Sequence, residues 1–126
     1  MKIGTVGTGF IVEWFITSVN RNEGATVLAV CSRQLETGKN LADRYQIEQV
    51  YTDYREMLGN EQIDTIYVAS PNSLHYAYVK QALNAGKHVI CEKPFTSTLQ
   101  ELEELIQLAK DKQSVSYTHL LVILAG

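Results

Sequence analysis

The stretch that decides the fold is Lys2-Ile3-Gly4-Thr5-Val6-Gly7-Thr8-Gly9-Phe10-Ile11-Val12. Its first five residues form a short run rich in β-branched side chains, which predicts a strand. A glycine turn follows, and from Phe10 to about Asn22 the apolar residues recur at fourfold spacing, which predicts a helix. The order of strand, glycine turn and helix predicts the start of a βαβ unit.

The same alternation continues to about residue 112. Further strands are predicted at Thr26–Cys31, Gln49–Tyr51, 63–69 and His88–Cys91, and further helices at Leu35–Tyr45, 54–59, 72–85 and 98–112. Strands that alternate with helices in this way predict an α/β fold of the doubly wound Rossmann type. Its sheet is expected to be mostly parallel, with helices on both faces.

Composition and charge narrow the classes of partner. The 126 residues are 45% hydrophobic and 20% charged, as in a globular protein. The 14 acidic and 11 basic residues are scattered and give a net charge of -3, so no nucleic-acid partner is predicted. The longest apolar run, 120–125, is far shorter than the roughly 20 residues of a membrane-spanning helix, so no membrane partner is predicted. Cys31 and Cys91 lie in apolar strand-like runs, which predicts buried thiols and a cytoplasmic location.

The length suits one domain of ordinary size. We assign residues 1–113 to this domain and residues 114–126 to an atypical tail, which is either a sixth strand at 120–124 or the product of truncation. A tail that does not pair with the sheet would leave an apolar segment and an open sheet edge. Both features favour self-association, so a homo-oligomer is a possible state.

The glycine turn is the first candidate site, because ligands of such folds bind beyond the carboxyl ends of the strands. Gly7 allows the tight turn, and Gly9 lets a pyrophosphate approach the backbone at the helix N-terminus, across Thr8, Phe10 and Ile11. The third position of the dinucleotide fingerprint holds valine instead of glycine, so the fingerprint is degenerate. The alternative interpretation is an ordinary tight turn.

The second strand ends in Cys31-Ser32-Arg33, where an NAD-binding protein would normally carry an acidic residue for the ribose hydroxyls. Arg33, beside Ser32, can instead pair with a 2′-phosphate in a bidentate manner. NADP is therefore predicted in preference to NAD. The alternative is that Arg33 is a solvated charge at the start of a helix.

Two later stretches carry a resemblance to a known family. They are Ser70-Pro71-Asn72-Ser73-Leu74-His75 and Ala85-Gly86-Lys87-His88-Val89-Ile90-Cys91-Glu92-Lys93-Pro94. Together with the glycine turn, they resemble the Gfo/Idh/MocA family of glucose-fructose oxidoreductases and inositol dehydrogenases. The resemblance extends from Lys2 to about Lys112. It implies an NAD(P)-dependent oxidoreductase that acts on a hydroxyl or carbonyl group, often of a sugar, polyol or dihydrodiol.

The resemblance also implies roles for single residues. Pro71 and Asn72 would line the nicotinamide, Glu92 would approach the ribose, and Lys93 would face both cofactor and substrate as the catalytic group. An ammonium there can orient the reacting oxygen or relay a proton. For Lys93 the alternative is a surface salt bridge with Glu92. His75 is at least as well explained by a structural role. The rest of the predicted cofactor site consists of Ser70 and Pro94.

In this family a histidine and an aspartate of a second, α+β domain act near the hydride-transfer centre. That domain would bind the small-molecule substrate, and the present chain alone is expected to be inactive. No metal-ligand spacing and no Gly-x-Ser-x-Gly turn occurs, and His119 lies in no recognised motif. Two other interpretations remain: a non-catalytic dinucleotide-sensing module, and an α/β domain that binds no nucleotide.

Overall fold

The computed structural model describes residues 1–7, 9–21, 24–69 and 72–91, with the side chains of 72–75 and 91 left out. Within these ranges the chain forms five strands and four helices. The strands are β1 (Lys2–Val6), β2 (Thr26–Cys31), β3 (Gln49–Tyr51), β4 (Thr65–Val68) and β5 (His88–Cys91). The helices are α1 (Phe10–Asn20), α2 (Leu35–Tyr45), α3 (Tyr54–Leu58) and α4 (Asn72–Asn84).

The strands form one sheet in the order β3-β2-β1-β4-β5, and every pair is parallel. The strand order reverses between β1 and β4, because the chain leaves β3 at one edge and returns on the far side of β1. In open parallel sheets this reversal opens a crevice at the carboxyl ends of the two strands. The predicted doubly wound α/β fold is confirmed.

Helices cover both faces of the sheet, and a separate apolar cluster lies under each layer. On one face α1 and α2 pack through buried side chains such as Val12, Ile16 and Leu41. On this face the rings of Phe15 and Tyr67 are stacked, with centroids 3.7 Å apart and planes 3° apart. On the other face α3 and α4 pack through a second cluster: Tyr54, Met57, Val79, Ala82 and Leu83. The strands are therefore apolar on both sides, as expected of a central parallel sheet.

Two predicted elements were too long by two or more residues, and α3 and α4 each end one residue earlier than predicted. Helix α1 ends at Asn20, two residues before its predicted end, and its C-cap is Arg21. The Arg21 N–H donates to Ser18 O at 3.3 Å, which closes the last turn. The fourth strand covers Thr65–Val68 and not 63–69, because the Ile63 N–H donates within a local turn to Asn60 O at 3.1 Å. By contrast, Gly86 follows α4 with a φ of 78°, as a left-handed helix cap requires.

The described ranges hold no group of three metal-ligating side chains. Nor do they contain a helix that is long and apolar enough to cross a membrane. Cys31 is a free, buried thiol. The predicted helix 98–112, the tail 114–126 and the side chain of Cys91 lie outside the described part of the chain.

Candidate dinucleotide site

The five described strands end at the same level of the sheet, and Tyr51 at the end of β3 pairs with Cys31 at the end of β2. Val6 at the end of β1 pairs with Cys31 of β2 and with Val68 of β4, and Val68 pairs in turn with Cys91 of β5. The segments that follow these five strands therefore leave the sheet from one edge, which we call the carboxyl edge. The glycine turn follows β1 at this edge, and the other predicted site residues follow β2, β4 and β5 in the sequence.

Gly7 is required by the geometry of the turn. Its φ is 108°, a conformation that side chains rarely adopt, and a Cβ on it would lie 3.1 Å from Ala69 O. Its N–H donates to Cys31 O at 3.0 Å. The turn thus runs against the ends of both neighbouring strands, β2 and β4, at the point where the strand order reverses.

Gly9 has a different role. Its φ of -168° is ordinary extended backbone, and a Cβ built on it would meet nothing within 4 Å. The protein itself therefore does not require glycine here, whereas a ligand that approaches the backbone would. This open space fits the pyrophosphate of a dinucleotide.

The N-terminus of α1 lies directly beside this space. Gly9 offers no side-chain cap, and the first helical hydrogen bond runs from the Glu13 N–H to Gly9 O at 3.1 Å. The backbone N–H groups of Phe10, Ile11 and Val12 precede that bond, so they belong to the unpaired first turn of the helix. Together with the helix dipole, they form an arrangement that suits an anion.

Val12 shows why the missing third glycine is tolerated. Its side chain is 1% exposed and packs in the apolar cluster under α1 and α2. Valine at this position therefore fills the space between helix and sheet. The side chains of Phe10 and Ile11, in contrast, are exposed at 84% and 38%.

The segment after β2 separates the two residues that the sequence analysis grouped. Ser32 is buried, and its Oγ accepts a hydrogen bond from the Gln34 N–H at 3.3 Å, in the turn that enters α2. Gly38 of α2 packs closely on it, since a Cβ on Gly38 would lie 3.2 Å from the Ser32 Cβ. Arg33 is exposed and forms no ion pair with any described residue. Ser32 thus has a structural contact that the sequence did not predict, while no described residue forms an ion pair with the Arg33 guanidinium.

Two groups near the end of β2 were not assigned to the site by sequence. Burial, with a smaller contribution from the nearby Asp53 carboxylate, raises the pKa of the Cys31 thiol to about 11. Asp53 is the N-cap of α3 and accepts a hydrogen bond from the Arg55 N–H at 2.9 Å. The sequence signal for this cap was Asp53 followed three residues later by Glu56. That signal did not show that the cap lies next to the end of β2.

Several predicted site residues lie outside the described part of the chain: Thr8, Ser70, Pro71, Glu92, Lys93 and Pro94. Asn72 and His75 lie in the first two turns of α4, where the structure describes the backbone alone. Their predicted roles are not tested by this geometry. What the structure does establish is that α4 begins at Asn72, within four residues of the end of β4.

Comparison with known proteins identifies the family. The sequence profile of an oxidoreductase family with an NAD-binding Rossmann fold, GFO_IDH_MocA, matches residues 1–119. The chain belongs to this family. Membership confirms the resemblance found in the glycine turn and in the two later stretches, and it supports the predicted nicotinamide dinucleotide as the cofactor.

Curated members of the Gfo/Idh/MocA family include enzymes of polyol and sugar chemistry. The chain is 36% identical over 110 residues to the scyllo-inositol 2-dehydrogenase (NADP(+)) IolU of Bacillus subtilis. The aligned region covers 87% of the chain and 34% of IolU. It is 34% identical over 109 residues to the 1,5-anhydro-D-fructose reductase of Ensifer adhaerens. That aligned region covers 86% of the chain and 32% of the reductase.

Solved structures of similar proteins agree with the fold. A 3-ketoreductase from Actinomadura kijaniata, in complex with TDP-benzene and NADP, superposes with a TM-score of 0.87 at 28% identity. The match covers 92% of the present chain and 37% of the 3-ketoreductase chain. A biliverdin reductase from Synechocystis, in complex with biliverdin and NADP+, gives a TM-score of 0.84 at 25% identity. This match covers 91% of the present chain and 36% of the biliverdin reductase chain. The chain therefore spans about a third of the length of the relatives it matches.

Proposed function

We propose that this chain is the dinucleotide-binding part of an NADP-preferring oxidoreductase that acts on a hydroxyl or carbonyl carbon of a sugar- or polyol-type substrate. The observation that carries the proposal is the open space at Gly9, beside the unpaired first turn of α1 and at the reversal of strand order. A pyrophosphate needs close backbone approach and N–H donors, and this part of the carboxyl edge offers both.

Different residues along this edge would bind different parts of the cofactor and position the substrate. Gly7 keeps the turn tight, and Gly9 with the amides of Phe10 and Ile11 would hold the pyrophosphate. A nicotinamide dinucleotide, when bound, supplies or accepts the hydride. Lys93, two residues beyond the end of β5, would orient the reacting oxygen of the substrate and stabilise negative charge on it.

The remaining assignments follow the strands in the same way. Pro71 and Asn72 follow the end of β4 in the sequence, and the end of β4 pairs with the end of β1 before the glycine turn, which supports a place for both residues beside the nicotinamide. His75 lies one turn further along α4. Glu92 follows β5 directly and would approach the ribose. The parallel pairing of β1, β4 and β5 supports all of these placements, because it brings the three strand ends to one edge.

The preference for NADP is supported by Arg33. Its exposed guanidinium follows the end of β2, on the side of the crevice where the adenosine ribose lies in a Rossmann fold. No acidic residue occupies the end of that strand. The NADP in the names of IolU and of the 3-ketoreductase agrees with this choice.

We further propose that residues 1–113 form the cofactor domain, and that substrate is bound by a second domain such as the additional length of the relatives would supply. On this view the chain holds cofactor in a cytoplasmic setting but does not turn over substrate by itself. The competing proposal of a nucleotide-independent domain gives the opposite expectation for cofactor binding.

The test uses Trp14, the single tryptophan, which lies in α1 one turn beyond its N-terminus. Energy transfer from Trp14 to bound NADPH or NADH reports binding directly. Gly9→Ala is expected to weaken binding by about tenfold or more, because the new methyl group enters the pyrophosphate space. Its fold should persist, since alanine accepts this backbone conformation and meets no neighbour.

Gly59→Ala is the matched control. Gly59 has a φ of -76°, and a Cβ on it would make ordinary contacts at 3.5 Å, at the far end of α3 from the carboxyl edge. It should leave binding unchanged. If the unmodified chain gives no energy transfer with either cofactor, or if Gly9→Ala binds as tightly as the unmodified chain, the proposed function is wrong.

A further inference from the structure

Asp53 and Arg33 leave the sheet side by side. Cys31 of β2 pairs with Tyr51 of β3, and the Ser32 N–H then donates to Tyr51 O at 2.9 Å, so the pairing continues beyond the end of β2. Arg33 and Asp53 each follow two residues after the Cys31–Tyr51 pair. Neighbouring strands lie about 4.8 Å apart, so a guanidinium and a carboxylate start from adjacent points of the carboxyl edge.

The carboxylate of Asp53 is held in place. Its Oδ1 accepts a hydrogen bond from the Arg55 N–H at 2.9 Å, as the N-cap of α3. Asp53 and Arg33 are both exposed, yet they form no ion pair within the described part of the chain. The capping bond keeps the carboxylate on α3, and its charge remains uncompensated by Arg33.

The field of Asp53 also reaches the end of β2. The Asp53 charge is the second cause, after burial, that raises the pKa of the Cys31 thiol, two residues before Arg33. Any anion that binds at Arg33 therefore experiences a fixed negative charge on the neighbouring strand end.

We propose that Asp53 is a specificity-determining residue, which limits the preference for NADPH over NADH by opposing a 2′-phosphate at Arg33. The inference rests on the proposed function. The 2′-phosphate carries close to two negative charges, whereas the ribose of NADH is neutral at that position. The Asp53 carboxylate and a phosphate at Arg33 would repel each other across the solvent-exposed surface between the two strand ends. This repulsion weakens NADPH binding by about threefold to tenfold and hardly affects NADH binding.

The test variant is Asp53→Asn. Asparagine caps a helix as well as aspartate does, so the change removes the charge and keeps the cap. Asp53→Ser, a second capping residue without charge, guards against an effect peculiar to the amide. Glu56→Gln is the matched control, because it removes an exposed acidic charge one turn further along α3.

Dissociation constants for NADPH and NADH are measured by Trp14 energy transfer at low salt and at about 0.5 M salt. Asp53→Asn and Asp53→Ser are expected to bind NADPH about threefold to tenfold more tightly at low salt, with less than about a twofold change for NADH. The gain should shrink at high salt, which a purely structural effect would not show. Glu56→Gln should change neither constant by more than about twofold.

The outcomes separate the two proposals. If the unmodified chain binds neither cofactor, the proposed function fails and this inference fails with it. If the chain binds both cofactors but neither Asp53 variant changes their ratio, the inference alone is wrong. Weaker NADH binding in Asp53→Asn also overturns it, since Asp53 would then be accepting the ribose hydroxyls itself.

Discussion

Two buried threonines, one on each central strand of the sheet, differ in whether their hydroxyl groups have partners. Thr5 of β1 and Thr65 of β4 are both fully buried and face the layer of α1 and α2. The Thr65 hydroxyl donates to Asp64 Oδ1 at 2.7 Å. The Thr5 hydroxyl has no hydrogen-bond partner among the described residues. A buried hydroxyl without a partner costs stability, while a satisfied one contributes to it.

We therefore expect Thr5→Val to raise the free energy of unfolding by about 1 kcal/mol, since valine has nearly the same shape and no polar atom to desolvate. Thr65→Val should lower it by about the same amount, because it removes the bond to Asp64. Urea denaturation of the two variants measures both effects. A loss of equal size in both variants would contradict the assignment of Thr5.

Arg33 provides the test of cofactor preference at the same scale. Arg33→Ala should weaken NADPH binding by about tenfold to a hundredfold, as expected for the loss of charge-assisted hydrogen bonds to a phosphate, and NADH binding by much less. Arg21→Ala, at the other end of α1, removes an equal charge away from the carboxyl edge. Titration of each variant with both cofactors measures the effect. Equal losses for NADPH and NADH in Arg33→Ala would refute the phosphate contact.

At the scale of elements, α2 ends in a residue with an unfavourable backbone conformation. Its C-cap, Gln46, has a φ of 58°. Among the described residues, no other residue except glycine has a positive φ. The Ile47 N–H donates to Ala42 O at 2.9 Å, so the left-handed cap does close the helix. Glycine adopts this conformation without the steric cost that a side chain incurs.

Gln46→Gly should accordingly stabilise the protein by about 0.5–1 kcal/mol. Arg21→Gly is the comparison, because Arg21 is the C-cap of α1 with an ordinary φ of -84°. There glycine brings only the added entropy of the unfolded chain, and we expect a small loss. Thermal unfolding followed by circular dichroism distinguishes the two. A lower melting temperature for Gln46→Gly would show that its side chain makes a contact worth more than the strain.

At the scale of the whole molecule, buried titratable groups link stability to alkaline pH. Burial raises the pKa of the Cys31 thiol to about 11 and, together with the charge of Cys31, raises that of the Tyr54 hydroxyl well above its usual range. Tyr54 donates its hydroxyl hydrogen to Tyr78 O at 2.7 Å, between α3 and α4. Burial has the opposite consequence for Lys87, whose pKa it lowers, partly offset by Asp64 and Glu61.

The signs follow from proton binding in the two states. Near pH 9 the unfolded chain begins to lose the Cys31 proton, while the folded chain keeps it until about pH 11. The stabilisation is therefore complete below pH 9 and is lost as the pH rises to 11. Lys87 has the opposite effect on stability. Between its lowered pKa in the folded chain and its usual pKa in the unfolded chain, the unfolded chain binds more protons, so the free energy of unfolding rises with pH over that range.

We expect the free energy of unfolding to fall between pH 9 and 11, and Cys31→Ala to fall less steeply. The comparison is of slopes, because removing the thiol also leaves a small cavity that lowers stability at every pH. Urea unfolding at pH 8, 9.5 and 11 provides the measurement. Parallel curves for the unmodified chain and Cys31→Ala would show that the thiol is not the group responsible.

Local sequence determined most of the fold. The bounds of β1, β2, α2, β3 and β5 agree with the prediction, because apolar periodicity and turn residues act over a few neighbouring positions. The need for glycine at Gly7 was also readable from the sequence, since a tight turn with a positive φ favours glycine, although the close approach of Ala69 O was not. The convergence of the five strand ends also followed from the alternation of strands and helices, because parallel pairing brings all carboxyl ends to one edge.

Only the tertiary structure decided which polar side chains are turned inward and which charges become neighbours. Lys87 is buried and donates from Nζ to Ile63 O at 2.6 Å and to Asn60 O at 3.0 Å, two contacts that the sequence did not predict. Asp53 came to lie beside Arg33 through the register of β2 and β3. Lys87 and its two carbonyl partners are 24 and 27 residues apart in the chain. The positions of these groups and of Asp53 relative to Arg33 depend on strand register and helix packing, which no local pattern encodes.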